Sequence, residues 1–316
     1  MFENLSERLD RSFKLLKGEG KITEINVAET LKDVRKALLD ADVNYKVAKS
    51  FTDTVKEKAL EYDIPVYQPT SLRKGDEAAE AYEILKNIAP ELIVVTAYGQ
   101  ILPKTILDLP KYGCVNIHAS ILPKYRGAAP INWVLLNGEA ETGVTSQQMG
   151  EGLDTGDMLI IHKTKIGENE TYSELYERLS VMGGDVLAET ISAIENGTLA
   201  PEKQDDSLSC YSPMITKDMS ALDFSKTAAE IHNTIRGVTG FTTLGGKRLK
   251  VFKSEISDKI APDAANGEII DEKNLTVKCG DGHAVIFREV QPEGKKRMKT
   301  EDFLRGNKLA KGDLLG

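Results

Sequence analysis

The segment LIVVT, Leu92 to Thr96, is apolar on both faces. A strand with one wet face alternates apolar and polar residues. One that does not alternate must be covered on both sides, which places it inside a sheet layered with helices. Its surroundings agree: a helical run at 76–88 leads into it, and VNIH (115–118), GVTSQ (143–147) and DMLII (157–161) follow, interleaved with helical stretches near 128–137 and 171–195. That alternation predicts an α/β domain with a largely parallel sheet.

VNIHASILPKYRGAAP, Val115 to Pro130, carries more than a core strand needs. Residues two apart in a strand share a face, so Asn116 and His118 point the same way at the strand's carboxyl end, where open α/β sheets bind ligands. An Asn amide can donate to a developing oxyanion, and a His can relay a proton near neutral pH. Such a pair is also a common structural one. EGLDTGDM, Glu151 to Met158, adds Asp154 in a Gly-bounded loop before another strand, where a carboxylate could orient His118; the same loop reads equally well as an Asp-rich turn.

Upstream, Leu5, Leu9, Phe13 and Leu16, then Val27, Leu31, Val34 and Leu38, then Val43, Val47, Phe51 and Val55 recur at helical spacing. Residues 1–60 therefore read as three short amphipathic helices. Residues 196–216, polar and carrying Pro201 and Pro213, read as a linker, its core at 201–216. After a helix at 226–236, KRLKVFKS, GEII, LTVKC and AVIFREV are short strands spaced by Gly, Asn and Asp, the pattern of a small OB-like β-barrel. The expected division is a helical segment (1–60), an α/β domain (61–200), the linker, and a C-terminal barrel (217–316).

The net charge of −8 is concentrated in residues 61–203, with 21 acidic and 11 basic residues. In the last third, Lys247, Arg248, Lys250 and Lys253, and then Lys295, Lys296, Arg297 and Lys299, bunch as a phosphate-contacting surface would. A solvated face accounts for each cluster alone about as well. The charged opening MFENLSERLDRS and the absence of an apolar run of bilayer length give the expectation of a cytoplasmic protein, taken as a monomer. Cys114, Cys210 and Cys279 have no paired spacing and read as small apolar fillers.

Taken together, Asn116-Ile-His118-Ala-Ser120-Ile-Leu122-Pro123, Tyr125-Arg126-Gly127-Ala128-Ala129-Pro130 and Leu153-Asp154-Thr155-Gly156 resemble the 10-formyltetrahydrofolate-dependent formyltransferases. VTAYGQILP (95–103), SPMITKDMSALDFSK (212–226), IHNTIRG (231–237), GKRLKV (246–251) and VQPEGKKRM (290–298) are similar to the methionyl-tRNA formyltransferase family within them, from about residue 62 onward. The resemblance implies a Rossmann-like catalytic domain and a barrel that binds tRNA. It implies direct attack of the methionine amino group of the initiator tRNA on a folate-borne formyl group, with no metal. Asn116 would hold the oxyanion, His118 would assist and relay a proton, and Asp154 would position His118. Ser120, Ile121, Leu122 and Pro123, with Tyr98, Gly99, Gln100, Ile101 and Leu102, would line the folate site. Arg126, Lys247, Arg248, Lys250, Lys295, Lys296 and Arg297 would meet the tRNA.

Residues 1–60 instead resemble the N-domain of the signal recognition particle GTPases, as in ALLDADV (37–43). The sequence holds no G-x-x-x-x-G-K-[ST] loop, so GTP binding is not expected. The formyltransferase part thus reads as truncated at its opening strands, and RGVTGFTTL (236–244) departs from the family's usual residues. Two expectations compete: a formyltransferase, working or impaired by the truncation and prone to aggregate, or a non-catalytic fusion remnant with a helical interaction module. The truncation also leaves LIVV without a partner along one edge. Pro65 and Pro69 weaken IPVYQP (64–69) as a replacement strand, so the N-terminal helices are expected to pack over that side and leave the edge unpaired.

Overall fold

The computed structural model describes Ala59 and residues 61–316; the helices expected in residues 1–60, and their packing, lie outside the described residues. The chain separates into a unit of residues 1–69 and a unit of residues 70–316, to which every element from Asp76 onward belongs. In the first unit, residues 64–69 form no strand.

The second unit begins with α1 (Asp76–Ile88), whose first turn carries Asp76 and Glu77, where the helix dipole favours anions. Glu77 also accepts from Thr70 N and Oγ1 at 2.8 and 2.5 Å, tying the incoming chain to the helix. There follow β1 (Ile93–Val95), α2 (Lys104–Leu107), β2 (Cys114–His118), the short β3 (Arg126–Gly127), α3 (Pro130–Leu136), β4 (Glu141–Gln148), β5 (Met158–Lys165) and the long α4 (Tyr172–Glu195). Pro130 opens α3, where its missing N–H has no helical partner to lose.

The sheet order is β1-β2-β4-β5, and it corrects the expectation of a largely parallel sheet. Only β1 and β2 run parallel; β2 with β4, and β4 with β5, are antiparallel. Between β4 and β5 the connection explains this, since a parallel return needs a crossover of a dozen or more residues. The loop from β4 to β5 spans only residues 149–157. The connection from β2 to β4, residues 119–140, is long enough for either direction, and here it returns the chain to the end of the sheet it left, with His118 opposite Thr145. Among the described residues β1 pairs with β2 alone, and Val94 is 39% exposed, so LIVV is not covered on both faces as its composition suggested.

The C-terminal half contains β6 (Tyr211–Ser212), α5 (Ala228–Val238), β7 (Gly240–Leu244), β8 (Lys247–Ser257), β9 (Ile269–Asp271), β10 (Thr276–Lys278), β11 (Ala284–Pro292), β12 (Met298–Lys299) and α6 (Thr300–Gly306). Sequence patterning missed β7, hidden in RGVTGFTTL, and α6. The sheet runs β7-β8-β11-β10-β9, with β12 on β11. Residues 312–316 close it into a ring. Ile269 N donates to Asp313 O (2.8 Å), Leu315 N to Gly267 O (2.9 Å) and Gly316 N to Thr243 O (3.2 Å). The barrel interior, with Val251, Val277, Val285 and Phe287 fully buried, packs against Ile231 and Ile235 of α5. Residues 196–216 are no loose linker, because Glu202 and Met158 exchange backbone hydrogen bonds at 2.8 Å and β6 pairs in parallel with β3. Among the described residues no helix is long and apolar enough to cross a membrane.

Hydrogen bonds join the two halves. Asn132 Nδ2 donates to Gly237 O (2.8 Å), and a Cβ on Gly237 would sit 3.2 Å from Leu136 Cγ, so α3 and α5 meet closely. His232 Nε2 donates to Glu168 O at 2.9 Å, leaving Nδ1 to accept from Ser254 at 2.9 Å, and burial holds this ring below its ordinary pKa. Glu174 closes a capping box with Thr171 at the start of α4 and accepts from Lys253 of β8 at 2.5 Å.

Burial pushes the Glu174 carboxyl up, but hydrogen bonds from Lys253 and from the Thr171 backbone and hydroxyl outweigh it and bring it down to about 2, against an ordinary 4.5. A lowered carboxyl adds stability that is complete above its unfolded value and is lost as pH falls through the folded one. Glu174→Gln should therefore flatten the pH dependence of urea unfolding between pH 4.5 and about 2. At neutral pH it should cost only about 0.5 kcal/mol, because the half-exposed pair is screened.

Candidate active site

Strand register assembles the site. Val95 pairs with Asn116 in the parallel ladder, while Gln147 and Thr145 stand directly opposite Asn116 and His118 in the antiparallel one. Residues opposite each other share a face, so β2 and β4 together present an amide pair beside an imidazole.

Asp154 enters from the loop between β4 and β5. Its backbone is left-handed, with φ of 51°, a conformation Asp adopts more readily than most residues. Its Oδ1 accepts from Gln147 Nε2 at 2.8 Å and from Asn116 Nδ2 at 3.3 Å. Its Oδ2 accepts from the Gly127 N–H at 2.8 Å and faces His118 Nδ1 at 3.7 Å. His118 is buried, and its Nε2 lies 2.9 Å from Tyr125 O. A carbonyl can only accept, so Nε2 carries the hydrogen. In the neutral ring, Nδ1 then turns a lone pair toward the carboxylate. A proton taken up between Nδ1 and Oδ2 turns that opposition into a charge-assisted contact. The three residues singled out from sequence thus converge, and the pair has the form of a proton acceptor.

Two glycines permit the approach. Gly127 has φ of 114°, and a Cβ there would lie 2.4 Å from the Tyr211 ring and 2.9 Å from Ser212 O. A Cβ on Gly156 would lie 1.6 Å from Gln148 O, so the LDTG loop can fold back on β4 only with glycine there. Beside them, Thr145 Oγ1 donates to Ser120 O (2.7 Å) and accepts from Leu122 N (3.2 Å), which fastens the turn at 120–123 containing the cis Leu122–Pro123 bond.

The residues expected around a folate divide. Ser120, Leu122 and Leu102 are buried; the Ser120 hydroxyl donates to Lys124 O, and Leu102 belongs to the core beneath β1. Gln100 Oε1 accepts from Leu72 N at 3.0 Å. Ile121 and Pro123 are half-buried, whereas Tyr98, Gly99 and Ile101 are exposed. Because Val95 is in register with Asn116, residues 96–102 leave the sheet at the end where β2 delivers its polar pair. The Tyr98 ring and the Ile101 side chain are exposed at that end.

The two basic clusters, far apart in sequence, meet in space. Glu293 N donates to Arg248 O at 3.0 Å, bringing the turn that bears Lys295, Lys296 and Arg297 beside Lys247, Arg248 and Lys250 on β8. Arg248 stacks on Phe241 at 3.8 Å and Arg297 on Phe252 at 4.4 Å, and Arg297 also pairs with Glu289. Arg126 lies apart from them, with Nε bonded to Gln204 Oε1 (2.9 Å) and Nη2 to Asp206 (2.8 Å).

Sequence reasoning missed Gln147, the Gly127 N–H and Gln204. Gln147 left a trace, as a polar residue at an inward position of an otherwise buried strand. Gln204 left none, lying in what read as a linker. Nor are the three cysteines all fillers. Cys114 and Cys279 are buried, and burial pushes their thiols up to about 11 and about 12. Cys210 is exposed and accepts from Tyr125 N at 3.2 Å. Among the described residues no three His, Cys, Asp or Glu side chains gather as metal ligands do.

The close approach of Gly156 to backbone gives a contrast that can be measured. Gly156→Ala should cost about 1–3 kcal/mol in urea denaturation, because a backbone carbonyl has to move. Gly150→Ala, with nothing within 4 Å in the same loop, should stay within about 0.5 kcal/mol of wild type.

Comparison with known proteins agrees with this geometry. A formyl transferase family model matches residues 21–191, and a formyl transferase C-terminal domain model matches residues 214–308. Methionyl-tRNA formyltransferase of Clostridium novyi (strain NT) is 47% identical over 260 residues, 81% of this chain and 83% of that protein. The same enzyme of Citrifermentans bemidjiense is 48% identical over 268 residues, 83% of this chain and 82% of that protein. Among solved structures, HypX from Aquifex aeolicus in complex with tetrahydrofolic acid has a TM-score of 0.55 at 17% identity, over 71% of this chain and 40% of that one. The sugar 3N-formyl transferase WlaRD has a TM-score of 0.55 at 24% identity, over 76% of this chain and 81% of that one. At such identities these two structures support the fold alone. The family match begins inside the segment that resembles the signal recognition particle N-domain, and that second resemblance rests on the sequence only. With both domain models matched and relatives this similar over four-fifths of its length, the chain belongs to the methionyl-tRNA formyltransferase family.

Proposed function

We propose that this protein transfers a formyl group from 10-formyltetrahydrofolate to the amino group of methionyl initiator tRNA, using the constellation gathered on Asp154. The relatives support the reaction. The observation that carries its residue roles is one carboxylate receiving Asn116, Gln147 and the Gly127 N–H while facing His118. The reading of the chain as a non-catalytic remnant has no support in the family matches.

The folate supplies the formyl group; the chain's own residues supply orientation, charge and a place for a proton. Asn116 has two amide hydrogens and gives one to Asp154, leaving the other for the oxygen that becomes negative as an amine adds to the formyl carbon. A preorganised donor of this kind lowers a barrier by about 2.7–4 kcal/mol. The proton released by the attacking amine would enter between His118 Nδ1 and Asp154 Oδ2 and would then pass to the folate nitrogen as its bond to the formyl carbon breaks, leaving tetrahydrofolate and the formylated amine. The imidazolium so formed keeps both N–H groups satisfied, by Tyr125 O and by the carboxylate, and sets positive charge beside the developing negative one. Gln147 and Gly127 hold the carboxylate so that it does not turn away from the ring. The joined basic clusters on the barrel are suited to tRNA phosphates, while Arg126, held by Gln204 and Asp206, acts within the fold.

In a formyl-transfer assay on charged initiator tRNA, His118→Ala and Asp154→Ala should each lower turnover by about 100-fold or more while changing folate affinity far less. Equal losses in both would mean collapse of the site. Reversing charge at Lys295 and Lys296 should weaken tRNA binding and reduce the slope of log affinity against log salt by about one for each phosphate that is no longer neutralised. An unchanged slope would return both lysines to solvent.

A further inference from the structure

We propose that Gln204, carried by the segment between the two halves, is a positioning residue that holds the Asp154 loop in its working conformation. The proposal rests on the formyl-transfer reading, since it assigns Gln204 to the residue facing His118. Gln204 Nε2 donates to Asp154 O at 2.8 Å and to Gly156 O at 2.7 Å, and lies 3.4 Å from Gln147 Oε1. Its Oε1 accepts from Arg126 Nε at 2.9 Å. The amide has one possible orientation. Arg can only donate and a carbonyl can only accept, so turning the amide over would set like against like on both sides.

The loop needs such a clamp. Asp154 adopts φ of 51°, a left-handed conformation that Asp tolerates better than most residues but that still needs support from its surroundings. Its carbonyl, two residues before that of Gly156, would otherwise face water or nothing. Two backbone anchors set where Gln204 stands. Upstream, Glu202 exchanges hydrogen bonds with Met158, at the start of the strand following the loop; downstream, Tyr211 pairs with Arg126. The side chain is only half-buried and is spent on polar contacts, so apolar packing does not account for it. Gln147, whose Oε1 lies 3.4 Å from the Gln204 amide nitrogen, donates in turn to Asp154 Oδ1. One amide thus restrains the backbone of the residue that faces His118 and neighbours the side chain that holds its carboxylate.

Two variants of the full chain separate this role from its alternatives. Gln204→Met keeps the length and loses every hydrogen bond; Gln204→Glu keeps an acceptor for Arg126 and cannot donate to the loop. Both should lower kcat for formyl transfer to methionyl-tRNA by about tenfold or more, with KM for 10-formyltetrahydrofolate within about twofold of wild type. In hydrogen exchange, amides of 152–157 should lose protection in both variants while those of β8 and β11 keep it. A Glu variant with wild-type turnover would show that anchoring Arg126 is what matters and would overturn the proposal. So would unchanged exchange at 152–157, or loss of protection spread to the barrel strands, which would mark a global structural role. A wild-type protein that transfers no formyl group would sink the functional reading, and the exchange measurement would still decide the role of Gln204.

Discussion

The Asp154 carboxylate is the point on which the catalytic half converges. Its neighbours come from separate strands: Asn116 and His118 from β2, Gln147 from β4, and Gly127 from β3, the strand that pairs with the interdomain segment. A partly buried carboxylate requires donors, and here each donor also fixes the element that bears it. The strand register, the glycines at 127 and 156 and the left-handed Asp154 are conditions for bringing these groups together. The chemistry follows from the same arrangement, since a carboxylate this well held offers His118 one geometry.

The route from sequence to site was legible where chemistry lay on regular elements. Asn116 and His118 share a face because strands have period two, and Asp154 could be placed because Gly152 and Gly156 bound a loop before an apolar strand. Sheet direction was not legible. Strands such as VNIH and LIVV look alike in parallel and antiparallel ladders, and only the shortness of the 149–157 loop decides one of their sheet's pairings. Gln204 and β6 escaped because a polar, Pro-bearing stretch reads as linker whether or not its backbone is paired. The fusion of the two basic clusters depended on the pairing of β8 with β11, strands too distant in sequence for any local pattern to encode their meeting.

The two halves keep separate apolar cores and are joined by polar contacts at α3, α4 and α5 together with the close approach of Leu136 to Gly237. The apolar clusters beside β2 and inside the barrel contain different residues, while Asn132, His232 and Glu174 each bond across the boundary. Such a boundary fixes orientation by direction of hydrogen bonds, and it allows each core to pack independently.

The ring of the barrel is completed by residues 312–316, which lie between the free sides of β7 and β9. During synthesis these residues are made after every strand they join. Until they emerge from the ribosome, the two outer strands keep open edges, the state in which β-sheets are most exposed to pairing with other chains. Completion of the barrel is therefore a late, long-range event, with contacts reaching from Thr243 to Gly316 across most of the C-terminal half. Strands β1, β2, β4 and β5, whose partners lie closer in sequence, have no need to wait for it.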